Sequence, residues 1–287
     1  MCSISPENKE IIKDHGAFPK LIKLLSHNST SVVEKCLGTL RNCSTLLESA
    51  NEIRDYGCIP ILIQLLSNRR SSLTKENSAG TLMNLARNDE NKILIREAGG
   101  IKALISLLND KNHVVQEIAA GALMVLTVNP LADNRIRVRE DKGLILLSYL
   151  LSSEDDYVLE NTMGTIKNCA LNEKCCLILG SELKIIPRLV QLLSSKNDII
   201  VKESANCLRN LAINPENCVT IGQDKGVEQL LHLVNSTKNE QVRKASVYAI
   251  QMLAKDQNNI KIIENIKRSA LQRSNESSGS VNQSLNK

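Results

Sequence analysis

The stretch Glu76 to Asn88, ENSAGTLMNLARN, decides the fold, because versions of it return at a fixed interval along the chain. Leu82 and Leu85 with Ala79 and Ala86 set an apolar stripe at helical spacing, and Asn84 stands off that stripe, so the segment reads as an amphipathic helix. Laid over it without gaps are 34–46 (EKCLGTLRNCSTL), 117–129 (EIAAGALMVLTVN), 160–172 (ENTMGTIKNCALN), 202–214 (KESANCLRNLAIN) and 244–256 (KASVYAIQMLAKD). The residues in the place of Asn84 are then Asn42, Asn84, Val125, Asn168, Asn210 and Met252, separated by 42, 41, 43, 42 and 42 residues. A period that steady marks a repeat array.

The composition agrees. A chain of 287 residues is long for one compact core, no compositional boundary divides it, and an array avoids the problem by stacking units that touch only their neighbours. Hydrophobic residues make up 42 % and aromatics 2 %, so the core is built from Leu, Ile, Val and Ala, which suits helix stacked on helix. The net charge of +5 is small, and the 36 Lys and Arg are dispersed among 31 Asp and Glu, which argues against nucleic acid as the partner. No uninterrupted apolar run reaches the ~18 residues of a transmembrane segment, and the first thirty residues lack the apolar centre of a signal peptide. The expectation is a soluble protein of the cytoplasm, or also of the nucleus. Of nine cysteines, Cys43 and Cys169 fill a slot that is leucine in other units, so they read as small buried reduced thiols, and no spacing suggests zinc.

Each unit reads as three helices. A short first helix opens near an asparagine (Asn8, Asn91, Asn134, Asn217) and stops at a turn glycine: Gly16, Gly57, Gly99, Gly143 or Gly226. Lys184 stands where one more glycine is expected, and Gly180-Ser181 reads as a turn between helices. A second helix follows, commonly with proline at its start, as in 19–26, 60–67 and 187–194. A polar loop then leads to the third and longest helix, which holds the landmark asparagine. The boundaries are 1–7 for the end of a truncated repeat, then repeats at 8–56, 57–98, 99–142, 143–183, 184–225 and 226–258. An extra short helix is expected at 259–266, and a disordered polar tail at 267–287. The chain thus starts in mid-repeat, as a segment of a longer array or an open-ended one.

Three helices in about 42 residues, a Gly-x-x-Pro-x-Leu hinge and A-G-T-L-x-N-L-A on the third helix resemble the armadillo repeat over residues 1–266. The glycines four residues before the asparagine (Gly38, Gly80, Gly121, Gly164) are closer to the β-catenin, plakophilin and vacuolar armadillo branches than to nuclear-import receptors, whose tryptophans stand there. The resemblance implies an all-α fold, an α-solenoid in a right-handed superhelix of about six repeats. It also implies a concave groove, lined by the third helices, that receives an extended peptide segment of another protein. Asn42, Asn84, Asn168 and Asn210 match the family's peptide-binding position, where a carboxamide can pair with the main chain of a ligand whatever its side chains. Glycine inside a helix costs ~1 kcal/mol against alanine, which asks for a ligand passing close or a neighbouring helix packing tightly.

Two further rungs are expected on the same face. Four residues after the landmark stand Leu46, Asn88, Asn129, Asn172, Asn214 and Asp256. Eight before it stand Glu34, Glu76, Glu117, Glu160, Lys202 and Lys244. With Lys167 and Arg209 beside the asparagines, this change of sign points to acidic partner residues near the C-terminal repeats. If the asparagines serve only the ligand, Asn168→Ala with Asn210→Ala weakens binding and leaves the melting temperature unchanged. The four histidines show no metal-ligand spacing, and GxSxG, P-loop and GxGxxG motifs are missing, so the reading is a non-enzyme without metal or cofactor. Two functions fit: a protein-protein interaction scaffold, or the substrate-recognition part of a larger enzyme such as an armadillo-repeat ubiquitin ligase.

Overall fold

A computed structural model describes residues 5–67, 69–128 and 133–269, all of it helix, turn and loop without a strand among the described residues. The chain divides into two units, Met1–Cys175 and Cys176–Lys287. The first unit runs α1 (Pro6–Asp14), α2 (Phe18–Leu24), α3 (Thr30–Cys43), α4 (Leu47–Asp55), α5 (Cys58–Leu65), α6 (Ser72–Leu85), α7 (Asp89–Glu97), α8 (Gly100–Leu107), α9 (His113–Thr127), α10 (Asn134–Glu140), α11 (Gly143–Leu150) and α12 (Asp156–Cys169). The short α13 (Glu173–Leu177) crosses the division. The second unit continues with α14 (Ile186–Leu192), α15 (Asp198–Leu211), α16 (Pro215–Gln223), α17 (Gly226–Ser236), α18 (Glu240–Leu253) and α19 (257–269).

Every third helix is the longest of its triplet, and in the first unit α3 packs on α6, α6 on α9 and α9 on α12. In the second unit α15 packs on α18. The slots at one phase of these helices are filled by Leu40, Leu82, Leu123, Ile166 and Leu208, all fully buried, and Cys43 and Cys169 sit as deep as the leucines they replace. No disulfide joins the eight buried cysteines of the described residues. Burial pushes the Cys58 thiol up to about 12, well away from the thiolate that would be reactive.

The turn between first and second helix corrects the sequence reading at two places. The left-handed residue is Gly16, Gly57 and Gly99 in the early repeats, but Lys142, Lys184 and Lys225 in the later ones. Gly143 and Gly226 are instead the first residues of α11 and α17, equivalent to Gly100 on α8, and all three are buried. A Cβ on Gly226 would lie 2.6 Å from the Ile221 side chain and 2.8 Å from its carbonyl oxygen. The pair Gly99-Gly100 therefore combines two separate needs, a positive φ and a close helix approach. Only the second need keeps its glycine in the Asp-Lys-Gly turns.

Two other expectations shift. Gly180 and Ser181 lie in a π-helical turn, Ile178–Glu182, that extends α13, and Gly180 is buried there against the Asn217 side chain. Helix α19 is longer than expected and takes in Lys267, while 270–287 and residues 1–4 lie outside the described residues. Asn259 anchors α19 by donating to the Cys218 carbonyl at 3.1 Å, and Ile263 is buried.

Lysine at a left-handed position carries a steric cost that glycine avoids, so Lys142→Gly and Lys225→Gly are each expected to raise the unfolding free energy by up to about 1 kcal/mol. Gly226→Ala is expected to lower it by roughly 1–3 kcal/mol through overpacking against Ile221. Urea titration followed by circular dichroism reads both.

Candidate functional site

On α6, α9, α12 and α15 the exposed and half-buried residues concentrate on one stripe, in whose floor Gly80, Gly121 and Gly164 are buried. On α6 it runs Leu73, Glu76, Gly80, Met83 and Arg87; on α9 it runs Val114, Glu117, Gly121, Met124 and Val128. On α12 the same phase gives Tyr157, Glu160, Gly164, Lys167 and Leu171, and on α15 it gives Ile199, Lys202, Asn206, Arg209 and Ile213. Several of these are large apolar groups left open, with Tyr157 at 68 % and Val128 at 57 % exposure. The stripe is the candidate partner-binding face. Lys167, Lys202 and Arg209 lie on it, Lys244 is exposed on α18, and Met83, Met124, Arg87, Leu73, Val114 and Tyr157 are stripe residues that the sequence reading did not single out.

The landmark asparagines sit at its edge and are nearly buried, with Asn84 at 6 %, Asn168 at 9 % and Asn210 at 4 % exposure. Asn84 Nδ2 donates to the carbonyl oxygen of Arg41 and to Ser44 Oγ, both at 3.0 Å. Asn168 repeats the contact one pair later, Nδ2 donating to Met124 O at 3.0 Å and to Thr127 Oγ1 at 3.3 Å. Each amide thus ties its third helix to the end of the preceding one and satisfies a carbonyl of the helix's last turns. For Asn84 and Asn168 the expectation of a purely ligand-serving group is corrected, since their N–H groups are spent between repeats and Oδ1 is what each of these two amides has left. Asn210 Oδ1 in turn accepts from Arg209 Nε at 3.3 Å, and Asn42 alone of the four is exposed.

The rung four residues after the landmark also has a different role. Asn88 and Asn214 cap the following short helices, accepting from Glu90 N and Asn217 N, and Asn172 accepts from Cys175 N. The third helix ends near the landmark, as at Leu85, so a residue four places on is already starting the next element. The exposed row lies one residue earlier. Asn129 lies outside the described residues.

The row of acids is partly consumed within the array. Arg41 pairs with Glu76 at 2.8 Å, and Ser71 donates to Glu34 at 2.5 Å. The internal glycines belong to the same arrangement: a Cβ on Gly80 would lie 2.5 Å from Arg41 Nε, and one on Gly164 would meet Met124 Sδ. The preceding repeat's side chain lies across the glycine, so packing between neighbouring helices supplies the reason for it. Glu117 has no ion pair among the described residues. Burial, with Asp155 and Glu76 nearby, holds its carboxyl above its ordinary range despite the opposing charge of Arg41. In the second unit Lys202 lies 3.2 Å from Glu203 and Lys244 3.7 Å from Glu240, while Arg209 and Lys255 have no ion pair among the described residues.

The description Armadillo/beta-catenin-like repeat matches residues 5–45, 48–87, 88–126 and 176–213. Junction plakoglobin of Homo sapiens is 29 % identical over 203 residues, covering 66 % of this chain and 26 % of the relative. Outer dynein arm-docking complex subunit 2 of Bos taurus is 27 % identical over 159 residues, covering 55 % of this chain and 15 % of the relative. The chain therefore spans about a quarter or less of these relatives. An engineered protein of known structure superposes with a TM-score of 0.79 at 26 % identity, over 83 % of this chain and 97 % of the other. A designed armadillo repeat protein in complex with the peptide (KR)4 superposes with a TM-score of 0.76 at 23 % identity, over 82 % and 99 %.

Two outcomes are expected of this face. Asn84→Ala or Asn168→Ala removes two hydrogen bonds between repeats, although Ser44 Oγ and Thr127 Oγ1 still donate to the Arg41 and Met124 carbonyls, so each lowers the unfolding free energy by about 1–3 kcal/mol in a thermal melt. Glu117 has a folded pKa above its unfolded one, so its favourable contribution exists below the unfolded value and is lost as pH rises through the folded one. Glu117→Gln is expected to melt above the parent at pH 7, with the gap closing below about pH 4.

Proposed function

This chain belongs to the armadillo/β-catenin-like repeat family, and from that premise we propose that it is a protein-binding scaffold holding an extended segment of a partner along the exposed stripe of its third helices. The observation that carries the reading is the stripe itself: large side chains such as Met83, Met124 and Tyr157 stay accessible although the amides of Asn84 and Asn168 already bond between repeats. Packed helices lie 8–10 Å apart and an extended chain advances about 3.3 Å per residue, so roughly three residues of a partner pass each repeat. The Oδ1 atoms of Asn84 and Asn168 then recur at a spacing a stretched main chain can meet. Asn42 holds the same position on α3, and Asn210 is the counterpart on α15 of the second unit.

Acidic partner residues are assigned to the later repeats, where Lys202 and Lys244 replace the glutamates of the earlier ones and Arg209 adds charge. Lys167 adds to it at the end of the first unit. Binding, and not catalysis, is the role we assign, in the cytoplasm and with no metal or cofactor called for. The fold is one in which a designed protein takes a peptide, and Junction plakoglobin bears the name of a cell-junction protein.

Panning the full chain against a random peptide display library tests the proposal. The expected selection is of segments without helical periodicity and enriched in Asp and Glu, with Lys202→Glu plus Lys244→Glu abolishing the acid enrichment. Enrichment of amphipathic helices, or an acid preference indifferent to the charge reversal, would contradict it.

A further inference from the structure

In the first unit the basic residue just before the landmark is cancelled from within: Arg41 reaches the next repeat's Glu76 at 2.8 Å and lies across Gly80, which offers no Cβ to obstruct it. The second unit repeats the backbone pattern with both conditions reversed. Arg209 is the counterpart of Arg41, but the place of Glu76 is taken by Lys244 and the place of Gly80 by Tyr248. No acid can neutralise Arg209 there, and the strip of α18 that would receive it carries a phenol ring that is 50 % exposed. Arg209, Tyr248, Gln251, Met252 and Lys255 line an open pocket of about 440 Å³. Neither Arg209 nor Lys255 has an ion pair among the described residues.

We infer that this pocket is a side-chain subsite for a partner peptide in which a carboxylate stands next to a bulky apolar residue. The inference rests on the extended-segment reading above and makes it specific. Two uncompensated cations supply charge-assisted donors for the carboxylate, and guanidinium is suited to bidentate pairing. The ring of Tyr248 and the thioether of Met252 supply an apolar wall for the neighbouring side chain. A carboxylate without the apolar neighbour leaves that wall wet, and an apolar residue without the carboxylate leaves both cations unpaired. The recognised unit is therefore the pair. The first unit offers no equivalent, because Gly80 and Arg41 close the strip that Tyr248 opens.

Fluorescence anisotropy on the full chain tests this with a labelled octapeptide, Ser-Gly-Glu-Phe-Glu-Leu-Gly-Ser, beside its Gln-for-Glu analogue and its Ala-for-Phe-and-Leu analogue. Both analogues are expected to bind about tenfold more weakly than the parent peptide. Arg209→Gln with Lys255→Gln, and separately Tyr248→Ala, are expected to remove that discrimination while the circular-dichroism melt stays near the parent's, since Tyr248 and Lys255 are exposed, Arg209 is half-buried without an ion pair among the described residues, and alanine keeps the helix. Lys167→Glu with Lys202→Glu, both outside the pocket, separates the two readings. If it weakens binding and the pocket variants do not, the subsite is overturned and the acidic-segment reading stands; if only the pocket variants act, the subsite stands alone. A probe that fails to bind, or an oligouridylate that binds more tightly than the peptide, overturns the subsite.

Discussion

The structure depends on one hydrogen bond made between repeats: a third-helix carboxamide donating to a main-chain carbonyl near the end of the preceding third helix. Apolar burial between Leu, Ile, Val and Ala surfaces drives the stacking but is indifferent to small slips between helices. A buried amide is not indifferent, because losing its partner costs the desolvation of both groups. Asn84 and Asn168 therefore set the register in which α6 follows α3 and α12 follows α9. That register leaves open one stripe per third helix.

A second set of contacts decides what the stripe can offer. Where Arg41 meets Glu76, opposite charges are consumed inside the array, and a pair still partly open to solvent adds little stability. Where the acid is missing, as beside Arg209, the charge remains for something outside. Glycines at the crossing points serve the first case by letting a long side chain lie flat, and Tyr248 serves the second by denying it that place. Repeat architecture with small departures at a fixed phase is thus enough to give each unit of the chain a different surface.

Much of this was legible in the residues. The interval between Asn42, Asn84, Asn168 and Asn210 revealed the array and the three-helix unit, because periodic burial leaves a periodic sequence. Less legible was the direction in which a polar side chain points. Asn84 at the edge of an apolar stripe is compatible with a ligand and with a neighbouring carbonyl, and only the position of α3 decides between them. The residue four places later was misplaced for a local reason: the helix ends before it, so Asn88 and Asn214 answer to the next helix's first turn. Gly143 and Gly226 misled because glycine answers two different needs in adjacent positions, and a lysine can meet the first. The exposed methionines had no polar signature to announce them.

Methyl resonances test the account most directly, since the chain has five methionines and three of them, Met83, Met124 and Met252, are incompletely buried on third helices while Met163 is fully buried. With the methionine methyls carbon-13 labelled, titration with a display-selected peptide is predicted to move the signals of Met83, Met124 or Met252 and to leave Met163 in place. Saturable binding that moves none of those three would show that the partner docks elsewhere on the helices, and would contradict the account.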